Sequence, residues 1–277
     1  MTVTTDTVVV SGGFDDIRSQ YVRFLQEAAR FGALHVLLWD DALLRSATEK
    51  EPKFPEQERL YYIQAIRFVH KVHLVHGPVD TDMLPNIPDV KPTIWTVLDS
   101  EHTPRKQAYC RANNLRYEVI KQQQLQGFPG CDTGESSMDG SGKKVLVTGC
   151  YDWFHSGHVR FFEECSELGE LYVIVGHDAN IKALKGPVHP MFDEQERRYM
   201  VQSIRYVRQA LISTGDGWLD AEPEIERIKP DIYAVNEDGD KPIKRRYCEQ
   251  RAIEYVVLKR LPKSGLQRRT STKLRGF

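Results

Sequence analysis

The chain has 277 residues, is 40% hydrophobic and 10% aromatic, and carries a formal net charge of −1. That is enough apolar material for one large or two small cores, with no global field to recruit nucleic acid or an anionic membrane. No apolar run reaches the roughly 18 residues of a membrane span, and the opening MTVTTDTVVV lacks a secretory signal's basic start, so a cytoplasmic chain is expected. Five scattered cysteines (Cys110, Cys131, Cys150, Cys165, Cys248) include no CxxC pair and give neither a disulfide framework nor a zinc site.

Taken in order, the chain states one pattern twice. VVVSGGFDDIRSQYVRF at 8–24 returns as VLVTGCYDWFHSGHVRF at 145–161, with eight of seventeen pairs identical. EQERLYYIQAIRFV from Glu56 returns as EQERRYMVQSIRYV from Glu194, with nine of fourteen identical. Agreement sustained at offsets of 137 and then 138 residues argues for duplication of a whole domain. The first copy is expected over 1–126 and the second over 145–277. Between them GFPGCDTGESSMDGSGKK (127–144) has the glycine and serine content of a flexible linker. In the second copy the strand at 145–147, the strand LYVIVG (171–176), the amphipathic EQER helix, and strands in IKPDIYAV and AIEYVVL follow one another. This alternation predicts α/β architecture: a doubly wound parallel sheet with right-handed crossovers and a ligand crevice at the strands' carboxyl ends.

The stretch Val145–Phe161 carries the chemistry. A buried-type strand stops at Thr148 and Gly149, and HSGH (His155–His158) opens a helix, so free backbone N–H groups and the helix dipole face an incoming anion. His155 and His158, three apart, fall on one face of the first turn. Gly157 between them is expected to let a polyphosphate approach the main chain. In the first copy Arg18, Gln20 and Tyr21 hold these three places, so that copy is expected to be catalytically silent, with Arg18 and Arg23 still able to hold a phosphate.

GCYDWFHSGHVRF resembles the strand-one signature of the HxGH nucleotidyltransferase superfamily, particularly its cytidylyltransferases. The resemblance implies two tandem Rossmann-like nucleotidyltransferase folds. His155 and His158 would donate to the triphosphate, and Lys185, in the loop-like ALKGPVHP, would bridge nucleotide and acceptor phosphates. Thr148, Gly149, Cys150, Tyr151, Asp152 and Gly157 would form the turn beneath the nucleotide, with Asp152 fixing that turn, orienting a histidine or capping the helix. Arg197, in a helix similar to the family's ERxxxVxxxRYV element, is a nucleotide contact or a structural ion-pair residue, and its repetition as Arg59 favours the second at least as much. Asn236 and Asp238, in AVNEDGDK, fall where the family reads base or ribose. The closing RRTSTKLRG, with Arg269, Thr270, Ser271, Thr272 and Arg275, resembles the superfamily's second signature. It lies between the RTEGxSTT of cytidylyltransferases and the SSTxxR of adenylyltransferases.

The tandem arrangement resembles that of ethanolamine-phosphate cytidylyltransferase, where the first copy keeps the motifs. These likenesses imply transfer of CMP from CTP to a small phosphorylated alcohol with release of pyrophosphate. Mg²⁺ would accompany the triphosphate, with no metal site of the protein's own. Two alternatives stand beside this: an adenylyltransferase using ATP on a sugar phosphate or FMN-like substrate, and a non-catalytic nucleotide sensor. No nucleic-acid or membrane partner is expected. The two copies are expected to pair within the chain as a pseudo-dimer, with further homo-oligomerisation open.

Overall fold

The structure, a computed structural model, describes residues 6–88, 90–129 and 142–274. It divides into two compact units, Met1–Gly127 and Phe128–Phe277. Most of the expected linker, with Cys131, lies outside the described residues. The last linker residue, Lys144, already belongs to the first strand of the second unit.

In the first unit β1 (Thr7–Gly12), β2 (Ala33–Trp39), β3 (Lys71–Val75), β4 (Ile94–Leu98) and β5 (Arg116–Ile120) form one sheet in the order β3-β2-β1-β4-β5. Every neighbouring pair is parallel. The helices α1 (Ser19–Ala29), α2 (Asp41–Thr48), α3 (Glu56–Gln64) and α4 (Pro104–Ala112) make the crossovers. The second unit follows with β6 (Lys144–Gly149), α5 (Ser156–Ser166), β7 (Glu170–Val175), α6 (Asp178–Lys185), α7 (Glu194–Gln202) and β8 (Val207–Ile212). It closes with α8 (Glu222–Ile228), β9 (Ile232–Asn236), α9 (Pro242–Gln250), β10 (Glu254–Leu258) and one helical turn, α10 (Ser271–Leu274). Its parallel sheet, β10-β9-β6-β7-β8, is the first unit's order read from the other edge. The doubly wound α/β fold in two tandem halves is what the alternation of the sequence requires. Helix α8 is an addition, since residues 76–88 and 90–93 of the first unit form no helix.

Local chemistry accounts for these elements. Val8–Val10 and Val145–Val147 are at most 1% exposed, as central strands covered on both faces must be. Gly32 and Gly169 have φ of +154° and +156°, and a Cβ at either would lie 2.2 or 2.1 Å from the carbonyl oxygen of Asp6 or Lys143. Only glycine lets the chain enter β2 or β7 so close to the preceding strand. Pro104 and Pro242 open α4 and α9 at a position that needs no N–H donor. On one face of the second sheet, Ile225, Ile228, Tyr247 and Cys248 of α8 and α9 pack on Leu146, Tyr172, Ile174, Tyr233 and Val235. The β6-to-β7 and β9-to-β10 crossovers run in opposite directions along the sheet, so right-handedness puts α5 on the face opposite α9.

The repeated EQER block builds a structural knot in each unit. Arg197, 1% exposed, donates to the carbonyls of Phe192 (2.9 Å), Cys150 (2.6 Å) and Gly176 (2.8 Å) and to the Asp178 carboxylate (2.7 Å). Arg59 makes the matching set to Phe54, Gly13, Trp39 and Asp41. Glu56 and Glu194 accept the backbone N–H of Asp41 and Asp178 in the same way. Arg197 is therefore corrected from a nucleotide contact to a clamp on the strand ends. Among the described residues no helix is long and apolar enough to cross a membrane.

Candidate active site

The sheet order reverses between β6 and β9, and a cleft of about 650 Å³ opens there at the strands' carboxyl ends. Its floor begins where β6 ends. Tyr151 adopts a left-handed φ of +53°, as Phe14 does in the first unit at +49°, so both units make the same turn. A Cβ on Gly149 would lie 2.7 Å from the Tyr151 ring, so the side chain folded over this turn demands the glycine.

His155 is the N-cap of α5, and the two histidines cap each other. The Gly157 N–H donates to His155 Nδ1 (3.0 Å), and the His155 N–H donates to His158 Nδ1 (3.3 Å). With Nδ1 accepting in each neutral ring, the proton sits on Nε2. The rings stack with centroids 4.0 Å apart, and His158 lies between Phe154 (5.2 Å) and Tyr151 (5.4 Å). Burial, then His155 and the Arg260 charge, hold His158 well below the usual imidazole range. His158 should stay neutral from pH 8 to 6.5, with no inflection in the pH–rate profile on its account. As pH falls below 6.5 the unfolded chain takes a proton that the folded ring refuses, so stability declines, by at most about 1.4 kcal/mol per pH unit. An NMR titration checks this, and a His158 midpoint at or above 6.5 contradicts it.

Gly157 lines the cleft, as its expected role beside a phosphate requires, and it meets a second requirement as well. A Cβ there would lie 2.9 Å from Cε1 of His155, so the glycine makes room for the folded-back imidazole. Gly157→Ala is expected to displace that ring, remove most turnover and cost about 1 kcal/mol of capping. Thermal melts beside rate measurements check it; an active, fully stable variant contradicts it.

Thr148, Gly149, Cys150, Tyr151, Asp152, Gly157, His158, Lys185, Asn236, Asp238 and Ser271 all line the cleft. Asp152 accepts the N–H groups of Met191 (2.6 Å) and Phe192 (3.1 Å). Asp15 holds the N–H groups of Lys53 and Phe54 in a similar way, so the Asp152 carboxylate ties down the chain before α7, and its other oxygen lies 3.7 Å from Nδ1 of His189. Lys185 is the last residue of α6, followed by Gly186 at φ +94°, and is helical where a loop was expected. Asp238 is ion-paired to Arg260. Thr270 caps α10 through the Lys273 N–H (3.4 Å), and Ser271 Oγ donates to the Trp153 carbonyl (3.3 Å). His155, Thr270 and Arg197 do not line the cleft, and Arg269 borders a small recess adjoining it. Thr272 lies in α10, and Arg275 is outside the described residues.

Three basic side chains of the cleft escaped the sequence reading: His189, Lys244 and Arg260. Arg260 follows β10 by two residues, a strand-end basic position that the crevice rule points to. Lys244 gives no such signal, standing among the charges of PIKRRY.

In the first unit the side chains at the corresponding positions are engaged with neighbours. Arg18 pairs with Asp16 (2.8 Å) and gives α1 no side-chain cap. Gln20 bonds to Gln122 (2.7 Å). Burial, then Glu101 and Asp16, raise the Tyr21 phenol above its usual range, and burial raises Glu101 as well.

Residues 146–261 match the sequence model of the family described as Cytidylyltransferase-like. The chain is 35% identical over 135 residues to a protein named FAD synthase from Ferroglobus placidus, across 48% of this chain and 85% of that relative. The chain belongs to the cytidylyltransferase-like nucleotidyltransferases. A second family member named FAD synthase, from Aciduliprofundum boonei, is 36% identical over 126 residues, covering 44% of this chain and 80% of the relative. The Bifunctional protein HldE of Syntrophotalea carbinolica is 34% identical over 99 residues, covering 35% and 20%. As a member of this family the chain is a nucleotidyltransferase, with its matched segment in the unit that carries HSGH.

Proposed function

We propose that the second unit transfers an adenylyl group from ATP to the phosphate of an FMN-like acceptor and releases pyrophosphate. The observation that carries this reading is the likeness, over 85% of its length, to a relative named FAD synthase. The closing TSTKLR points the same way. CTP transfer to a small phosphoalcohol, the first implication of the sequence, has weaker support than this alternative.

In the proposed reaction an acceptor phosphate oxygen attacks the α-phosphorus as its bond to the pyrophosphate oxygen breaks. Such transfer asks the protein for position and charge more than for covalent chemistry. The α5 N-terminus and the Nε2–H group of His158 would meet the triphosphate, with His155 holding the His158 ring from beneath, and Asn236 with the Asp238–Arg260 pair would meet ribose and base. Among the described residues no cluster of histidine, cysteine and carboxylate is arranged to hold a metal, and Asp152 is already bonded to main chain. Mg²⁺ therefore belongs to this reading as part of the MgATP substrate, keeping most of its water ligands. A catalytically silent first unit and a cytoplasmic location belong to the same proposal.

Lys185 would gain most as charge shifts between the two phosphates. Lys185→Ala is expected to lower kcat by about 10²-fold or more while changing ATP affinity only slightly. Calorimetry beside steady-state kinetics checks this, and lost ATP affinity at unchanged kcat reassigns the residue to ground-state binding. Pyrophosphate release from each of the four nucleoside triphosphates, with FMN, a sugar phosphate, phosphoethanolamine or glycerol phosphate, tests the whole reading. ATP with FMN should be fastest; CTP with phosphoethanolamine fastest overturns it.

A further inference from the structure

Lys244 stands out among the cations of the cleft. It projects from α9, the face of the sheet opposite α5, and its Nζ lies 5.8 Å from the Tyr233 ring centroid. The side chain is half-buried, yet among the described residues no carboxylate pairs with it. The nearby acids are engaged elsewhere: Asp240 accepts from Arg245 (2.6 Å) and Tyr255 (3.1 Å), and Asp220 accepts from Ser213 (2.6 Å). Burial, then Lys241, hold its ammonium below the usual lysine range. A half-buried ammonium with no ion pair among the described residues, offset only in part by the Asp240 and Asp220 carboxylates nearby, is costly to maintain.

The duplication supplies an internal control. Lys106 is the matching residue of the first unit and lies 6.0 Å from the Trp95 ring, as Lys244 lies over Tyr233. Its Nζ, however, donates to the Glu101 carbonyl at 2.7 Å. In the second unit Gly239 stands in the place of Glu101, and both Gly239 and Lys244 line the cleft. The same lysine is tied back to the chain in one unit and turned to an open crevice in the other.

We propose that Lys244 anchors the phosphate monoester of the acceptor, forming an anion subsite separate from the α5 N-terminus. The triphosphate's charge is met on the α5 face, by helix dipole and imidazole donors. A cation entering from the α9 face draws the second, attacking phosphate to the other side of the strand ends. With Lys185, which has no ion pair among the described residues and reaches the cleft from α6, it brackets the space where the two phosphates meet. This subsite rests on the proposed transfer to a phosphate acceptor.

The test reads the subsite without needing turnover. The full chain is treated with an amine-acylating reagent, and Lys244 modification is followed by mass spectrometry alone or with millimolar FMN, glycerol phosphate, riboflavin or ATP. A phosphate monoester should slow Lys244 modification, whereas riboflavin and ATP should not. Lys244→Met should raise the acceptor KM by about 10- to 100-fold, the loss of one charge-assisted hydrogen bond, with ATP affinity unchanged, and Lys244→Arg should restore part of it. Protection by glycerol phosphate without any adenylyl transfer to FMN would support the subsite and count against the flavin reading. Protection by ATP alone, protection by none of the four, or an unchanged acceptor KM in Lys244→Met would overturn the proposal.

Discussion

Replacing His158 with alanine is expected to lower kcat/KM by about 10²–10³-fold, the range seen when one fixed donor to a developing oxyanion is lost. The expectation follows from geometry. Nδ1 of His158 is taken by the His155 N–H, so the ring presents one donor, Nε2–H, in a direction set by that bond. Stacking between His155 and Phe154 removes the remaining freedom, and a neutral ring loses no proton at working pH. The same contacts give the ring a packing role, so a modest fall in stability should accompany the loss of rate. Circular dichroism and denaturant titration separate the two effects. A variant that is folded and retains more than about a tenth of the activity would remove His158 from catalysis.

The second large effect is on stability. Arg197→Met should destabilise the second unit by about 3–5 kcal/mol, because it leaves one buried and two part-buried carbonyls and the Asp178 carboxylate without their donor. Arg59→Met should do the same to the first unit. Trp39 and Trp95 report on the first unit, Trp153 and Trp218 on the second, so fluorescence unfolding of single-tryptophan chains assigns each loss. An Arg197→Met chain with unchanged stability and lost ATP binding would return this residue to the nucleotide site.

The two arginines also show why some of the molecule was legible in sequence. Repetition of Arg59 as Arg197 beside a lost HSGH already hinted that EQER is architecture, and the matching hydrogen bonds of the two arginines bear that out. The strand alternation exposed the doubly wound sheet because buried parallel strands need unbroken apolar runs such as Val145–Val147. What remained hidden depends on the third dimension. Gly157 answers to the folded-back ring of His155, which no spacing rule reveals. Asp152 reaches forward to Met191 and Phe192, nearly forty residues along the chain. Lys244 meets the cleft only because β9 to β10 crosses over the face opposite α5. Helix α8 was missed because the seven residues EPEIERI, about two turns with a proline second, are too short to declare a period.

On the proposed function, one chain with two like folds has a single adenylyl-transfer site, built on His158 and absent around Arg18. That arrangement is tested most directly by following label from [α-³²P]ATP into FMN with the native chain, His158→Ala and Arg18→Ala. Labelled FAD should form with the native chain and, at nearly the same rate, with Arg18→Ala, and should fall about 10²-fold or more with His158→Ala. Label entering an acceptor only from CTP, or Arg18→Ala losing as much as His158→Ala, would contradict it.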